Sequence, residues 1–145
     1  MFEKIVVAVD GSEGSLKALK LAAGLQKSLG GELLIVTIYR HHSLLEASMS
    51  MVRPDEPEIL DDAMRDHARK VAEEAKQVAA AEGVTALRAF AKAGQPARAI
   101  VKFAEEHDAG LIVVGSRGIG DVEGFLLGSV SHKVTSLARC PVLVA

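Results

Sequence analysis

LIVVGSRGIGDVEGFLLGSVSHKV, residues 111–134, passes through three kinds of text. Leu111-Ile112-Val113-Val114 is dense and β-branched, the composition of a strand covered on both faces, as in a parallel sheet. Gly115, Gly118, Gly120, Gly124 and Gly128 then fall within 14 residues. Val130, Val134 and Leu137 follow at helical spacing. A buried strand runs into a glycine-rich turn, and the turn runs into a helix.

The same alternation extends in both directions. Ile5–Val9, Leu33–Ile38 and Val142–Val144 repeat the strand pattern, and Val84–Phe90 is a weaker strand. Helical spacing recurs in Leu16, Leu19 and Ala23, in Met64, Ala68, Val71, Ala75 and Val78, and in Ala97, Ile100, Val101 and Ala104. The punctuation agrees. Ser12 caps the first helix and Gly30-Gly31 ends it, Gly83 follows the second, and Pro96 suits the first turn of the third. The order βαβαβαβαβ predicts an α/β fold: a three-layer sandwich with a mostly parallel, five-stranded sheet and about four helices. Residues 1–145 read as one domain, since a chain of 145 residues buries about two-thirds of its unfolded surface around a single core. Only the stretch from Arg40 to Pro57, with Pro54, Pro57 and a His pair, breaks the pattern and reads as a long, partly mobile connection.

Composition excludes several functions. Seventeen Lys plus Arg against 19 Asp plus Glu leave a formal charge of −2, so there is no general electrostatic pull toward nucleic acid. Cys140 is the one cysteine, which rules out an intrachain disulfide and a multi-cysteine metal site. No stretch approaches the ~20 apolar residues of a membrane span. The opening MFEKIVVAVDGS reads as a strand, not a signal peptide. The expected setting is cytoplasmic.

In open α/β sheets, ligands sit beyond the carboxyl ends of the strands, where the strand order reverses. Four segments qualify: Asp10-Gly11-Ser12, Thr37-Ile38-Tyr39, Ala93-Gly94-Gln95-Pro96, and the run from Gly115. Gly128-Ser129-Val130-Ser131 opens a helix, whose unpaired amides and dipole favour an anion. Each charge-assisted hydrogen bond there contributes about 1.5–3 kcal/mol. The hydroxyls of Ser129 and Ser131 add donors, and Arg117 screens phosphate charge or is simply solvated. The plainer alternative stays open: glycines that serve turns alone, a Ser129 that only caps, and an Asp10 that only caps its own turn. Dinucleotide binding is disfavoured, because Gly124 falls one residue too late for GxGxxG and the run follows the fourth strand. Gly-Lys-Ser and Gly-Lys-Thr are absent, which disfavours a Walker-type NTPase.

Gly115-x2-Gly118-x9-Gly128-Ser129 resembles the nucleotide-binding signature of the universal stress protein family. IVVAVDGSEGS, the Gly94-Gln95-Pro96 turn and the final CPVLVA are similar to that family too, so the resemblance covers nearly the whole chain. It implies the ATP-binding branch, an adenine nucleotide alpha hydrolase-like fold and a sheet order of 3-2-1-4-5. It implies Val9 and Asp10 at the adenosine, with Asp10 near the ribose or a metal. Ile38 would give backbone contacts to adenine, and Gly94 would close one side. Val114, Gly115, Arg117 and Gly118 would line the ribose and phosphate path. Gly128, Ser129, Val130 and Ser131 would hold the phosphates. The implied ligand is ATP, or AMP or ADP, with Mg²⁺ carried on the phosphates and no metal cage of its own. A homodimer through Pro141–Ala145 is implied as well.

No catalytic residue is assigned. The glycine run has serines but no base, and His132 diverges from Ser131 on the helix. His41-His42 with Asp61-Asp62 reads as solvated surface, His67 and His107 as helix surface, and Cys140 as packing. The expected function is a dimeric, nucleotide-binding stress-response regulator. A slow ATPase in the same pocket and a nucleotide-free dimeric interaction module are the alternatives.

Overall fold

In a computed structural model, the chain is described over residues 2–40, 57–117 and 127–145. Nine elements alternate: β1 (Lys4–Ala8), α1 (Glu13–Leu29), β2 (Glu32–Tyr39), α2 (Pro57–Ala81), β3 (Leu87–Ala93), α3 (Pro96–Glu106), β4 (Leu111–Val114), α4 (Ser129–Leu137) and β5 (Val142–Val144). The sheet order is β3-β2-β1-β4-β5, every pair parallel. The expected α/β sandwich and its strand order are therefore both found. Reversal of order falls between β2 and β4, on either side of β1.

The continuous apolar strands explain the two cores. Strand side chains alternate between faces. Ile5, Val7, Leu33, Ile35 and Val113 pack under Ala18, Leu19, Ala22 and Ala23 of α1 and Ala75 and Ala79 of α2. Val6, Leu34, Val36, Ile112 and Val114 pack under Ala97, Ile100, Phe103 and Ala104 of α3 and Val134 of α4. Full burial of each Ile, Leu or Val contributes roughly 1.5–3 kcal/mol, so the fold rests on these two layers. Alanine on the buried helix faces lets α1 and α2 lie close to the sheet.

Caps set the helix bounds. Ser12 Oγ accepts the Ser15 N–H at 3.2 Å, and the Gly30 N–H closes the far end on the Gln26 carbonyl at 2.8 Å. The end of α2 corrects the sequence reading. Val84–Phe90 is not the third strand; β3 runs Leu87–Ala93. Gly83 takes φ +100° and its N–H bonds the Ala80 carbonyl, while the Val84 N–H reaches back to Ala79. That is a Schellman ending, and buried Val84 is its apolar plug onto the core, not a strand residue. Leu16 is a second correction. It is 41% exposed, because the buried face of α1 runs through Ser15, Ala18, Leu19 and Ala22. His107 is a third. It leaves the helix surface, lays its ring 4.1 Å from the Phe103 centroid, and brings Nδ1 within 2.8 Å of the Phe103 carbonyl.

Candidate functional site

The parallel sheet sends the carboxyl ends of β1, β2 and β4 to one edge of the molecule, where three helices also begin. A cavity of about 310 Å³ opens there. Its floor and one wall are apolar: Ala8, Val36, Ile38, Val114, Pro96 and Ile100. Its other half carries polar groups: Ser12 and Ser15 at the cap and first turn of α1, Gly115 and Arg117 after β4, and Ser129, Val130 and Ser131 at the start of α4. An apolar cleft with a few convergent polar groups at the reversal of strand order is the usual form of a small-molecule site.

The start of α1 is self-contained. Asp10 Oδ1 accepts the Ser12 N–H at 2.9 Å and the Ser12 hydroxyl as well. Ser15 Oγ accepts the Asp10 N–H at 3.3 Å and donates to the Ser12 carbonyl at 3.0 Å. Asp10 thus does cap its own turn, and it also sits exposed on the cavity rim as the one carboxylate of the lining among the described residues.

The start of α4 differs. Its cap is Gly128, which offers no side chain. The first helical bond runs from the His132 N–H to the Gly128 carbonyl, so the amides of Ser129, Val130 and Ser131 precede it and have no partner among the described residues. Together with the dipole, they make this corner of the cavity attractive to an anion.

Close backbone packing brings the two halves together. A Cβ built on Gly115 would lie 2.7 Å from both the carbonyl carbon and the oxygen of Gly14. One built on Gly14 would run into the Arg117 carbonyl oxygen. The first turn of α1 therefore rests directly on the turn after β4. The sequence reading passed over Gly14, although a glycine in a helix's first turn, where others are better formers, was the available signal.

Of the twelve candidate residues, nine line the cavity: Val9, Asp10, Ile38, Val114, Gly115, Arg117, Ser129, Val130 and Ser131. Gly94 does not line it. It ends β3 at φ +148°, donates its N–H to the Tyr39 carbonyl at 2.9 Å, and so ties β3 to the end of β2. Gly128 is buried and gives its N–H to the Ser116 carbonyl. Ser131 is 2% exposed, and its hydroxyl donates to the same carbonyl at 2.8 Å. Both serve as staples between the turn and the helix. Gly118 lies outside the described residues, as do Gly120, Gly124, the His41-His42 pair and the 41–56 connection. His132 is exposed, and Cys140 is half-buried, its thiol pushed up from the ordinary value by burial. Sequence reasoning missed Arg40, which lines the cavity one residue past β2.

Among the described residues, no three or more His, Cys, Asp or Glu side chains gather to hold a metal ion, and no helix is long and apolar enough to cross a membrane. Among the described residues a divalent cation here would find Asp10 as the one carboxylate of the lining, with phosphate oxygens as the natural further ligands.

The model of the universal stress protein family matches residues 1–145. A universal stress protein of Bacillus subtilis, YxiE, is 42% identical over 148 residues, with 99% of each chain covered. The crystal structure of a universal stress protein in complex with cAMP is 29% identical, with a TM-score of 0.72 over 99% of this chain and 96% of that one. The universal stress protein from Archaeoglobus fulgidus in complex with dAMP is 26% identical, with a TM-score of 0.69 over 99% of this chain and 98% of that one.

Proposed function

The chain belongs to the universal stress protein family, and from that premise we propose that the cavity binds an adenine nucleotide, ATP or a related one, and that the protein acts as a dimeric stress-response regulator. The observation that carries the reading is the two-sided cavity: an apolar half at β2 and α3 suited to a base, and uncapped α4 amides beside Arg117 suited to phosphate. The relatives bound to cAMP and dAMP support the adenine nucleotide class.

In this reading adenine sits at Ile38, with Val9 and Asp10 at the adenosine, and Gly94 acts from behind the pocket by tying β3 to the end of β2. Val114, Gly115, Arg117 and Gly118 line the path to the phosphates. Of the Gly128–Ser131 group, the amides of Ser129, Val130 and Ser131 and the Ser129 hydroxyl are the direct donors. The Gly128 amide and the Ser131 hydroxyl hold the turn against the helix. Mg²⁺ travels on the phosphates. Bound nucleotide shifts the conformational population, and no residue is assigned a catalytic role. Residues 1–145 act as one domain, pairing with a second copy through Pro141–Ala145, since β5 is an apolar edge strand that needs cover.

Calorimetric titration of the purified chain with ATP, AMP and cAMP tests the reading. Binding by the unaltered chain, abolished in a Val130→Phe variant that fills the α4 corner and still melts cooperatively, is the expected result. A folded chain that gives no heat with any of the three ends it. Sedimentation at micromolar concentration tests the pairing: a monomeric mass removes the dimer.

A further inference from the structure

We propose that Arg40 is the base-side specificity residue of this site, its guanidinium plane covering the purine ring that rests against Ile38. The inference deepens the nucleotide reading and rests on it. Strand alternation carries it first. Val36, Ile38 and Arg40 are spaced by two, so the face of β2 that looks into the cavity offers an apolar floor, an apolar wall and a cation at the rim. All three do line the cavity. The backbone just before Arg40 is held in place: Tyr39 is in register with Ala93, and its carbonyl accepts the Gly94 N–H at 2.9 Å.

Position separates Arg40 from the phosphate corner. Arg40 follows β2 and Arg117 follows β4, with β1 between them. Two strand spacings place those chain ends roughly 10 Å apart. The anion-binding amides belong to α4, on the Arg117 side, so one cation serves the phosphate and the other faces the apolar half. Arg40 has no ion-pair partner among the described residues. A guanidinium at the rim of an apolar slot suits a flat aromatic ligand, on which it can stack, better than a sugar or an aliphatic one.

The test uses three probes on the whole chain: AMP, ribose 5-phosphate and inorganic pyrophosphate, the weaker two followed by NMR at millimolar concentration. Arg40→Ala is expected to weaken AMP binding by roughly threefold to thirtyfold. Ribose 5-phosphate and pyrophosphate, which lack a base, should bind as before. Arg40→Lys keeps the charge and loses the plane, and should recover only part of the AMP loss. Arg117→Ala should weaken all three. If Arg40→Ala weakens the base-free probes as much as AMP, Arg40 is a phosphate cation and the proposal is overturned. It is equally overturned if AMP binding does not change, or if Arg40→Lys restores it fully. No binding of any probe to the unaltered chain sinks the nucleotide reading itself, and Arg40's role with it.

Discussion

Two glycine-to-alanine changes of identical chemistry should move stability in opposite directions. Gly115 stands where the turn after β4 meets the first turn of α1. An added Cβ would sit 2.7 Å from Gly14 backbone atoms, against 3.4–4 Å for ordinary contact. Relief of about 0.7 Å must come from backbone, and the α1 backbone is pinned by the Asp10–Ser12–Ser15 hydrogen bonds. Overpacking of this kind costs about 1–3 kcal/mol. Alanine also returns roughly 0.4–1 kcal/mol by restricting the unfolded chain. The net expectation for Gly115→Ala is a loss of about 1–2 kcal/mol. At this chain length that lowers Tm by roughly 3–8 °C. Gly24, inside α1, has nothing within 4 Å of the added methyl. Gly24→Ala should gain about 0.8–1 kcal/mol from helix propensity alone. Urea unfolding of both variants, with thermal melts alongside, measures the pair. A Gly115→Ala protein as stable as the unaltered one would refute the claim that glycine is there to let the helix and turn touch.

Three shorter predictions follow from the same geometry. Ser131→Ala should cost about 0.5–1.5 kcal/mol in urea unfolding, because a buried hydroxyl on the Ser116 carbonyl is lost while the Gly128 N–H still satisfies that carbonyl. Ser129→Ala, at an exposed position, should stay within about 0.5 kcal/mol of the unaltered chain and instead weaken nucleotide binding; the reverse pattern would exchange their roles. Arg88 donates from Nε and Nη2 to the Glu32 carboxylate at 3.1 and 2.8 Å, and these bonds hold Glu32 below its ordinary value of 4.5 against the opposing effect of burial. The folded-state value is depressed, so the stability it adds is complete above 4.5 and is lost as pH falls through the lower folded value. Glu32→Gln should therefore flatten the acid limb of a stability–pH curve, slightly, since both side chains are partly exposed; parallel acid limbs would count against the pair.

Most of the frame was legible because each signal was local. Ser12 and Gly30 close α1 by hydrogen bonds within a few residues, and Pro96 begins α3 for the same reason. The β-branched runs read as strands buried on both faces because a parallel sheet between helix layers has no wet side. What failed needed information from a distance. Val84 has strand composition, but the chain there is finishing a helix, and its apolar side chain plugs the core. Leu16 fits a helical stripe, yet the stripe that meets the sheet is the alanine-rich one. His107 looked like surface until Phe103 and Phe90 gave it an aromatic seat.

The site divides in the same way. A glycine motif reports where backbone must come close or lie bare, which is why Gly115 and the amides following Gly128 could be located from spacing. It says little about which donors are already engaged. Ser129 and Ser131 differ by two positions on one helix turn, and two positions on a helix point to different sides. One hydroxyl is exposed beside the cavity, while the other is turned inward onto Ser116. Arg40 carries no motif at all; it reaches the cavity because β2 alternates and ends there. The α4 corner of the pocket is thus written in backbone and is readable as a pattern, whereas the apolar half is written in side chains that only strand register brings together; on the proposed reading these are the phosphate and base sides. Base preference should accordingly shift with substitutions at Val36, Ile38 and Arg40, with the glycine run left unchanged.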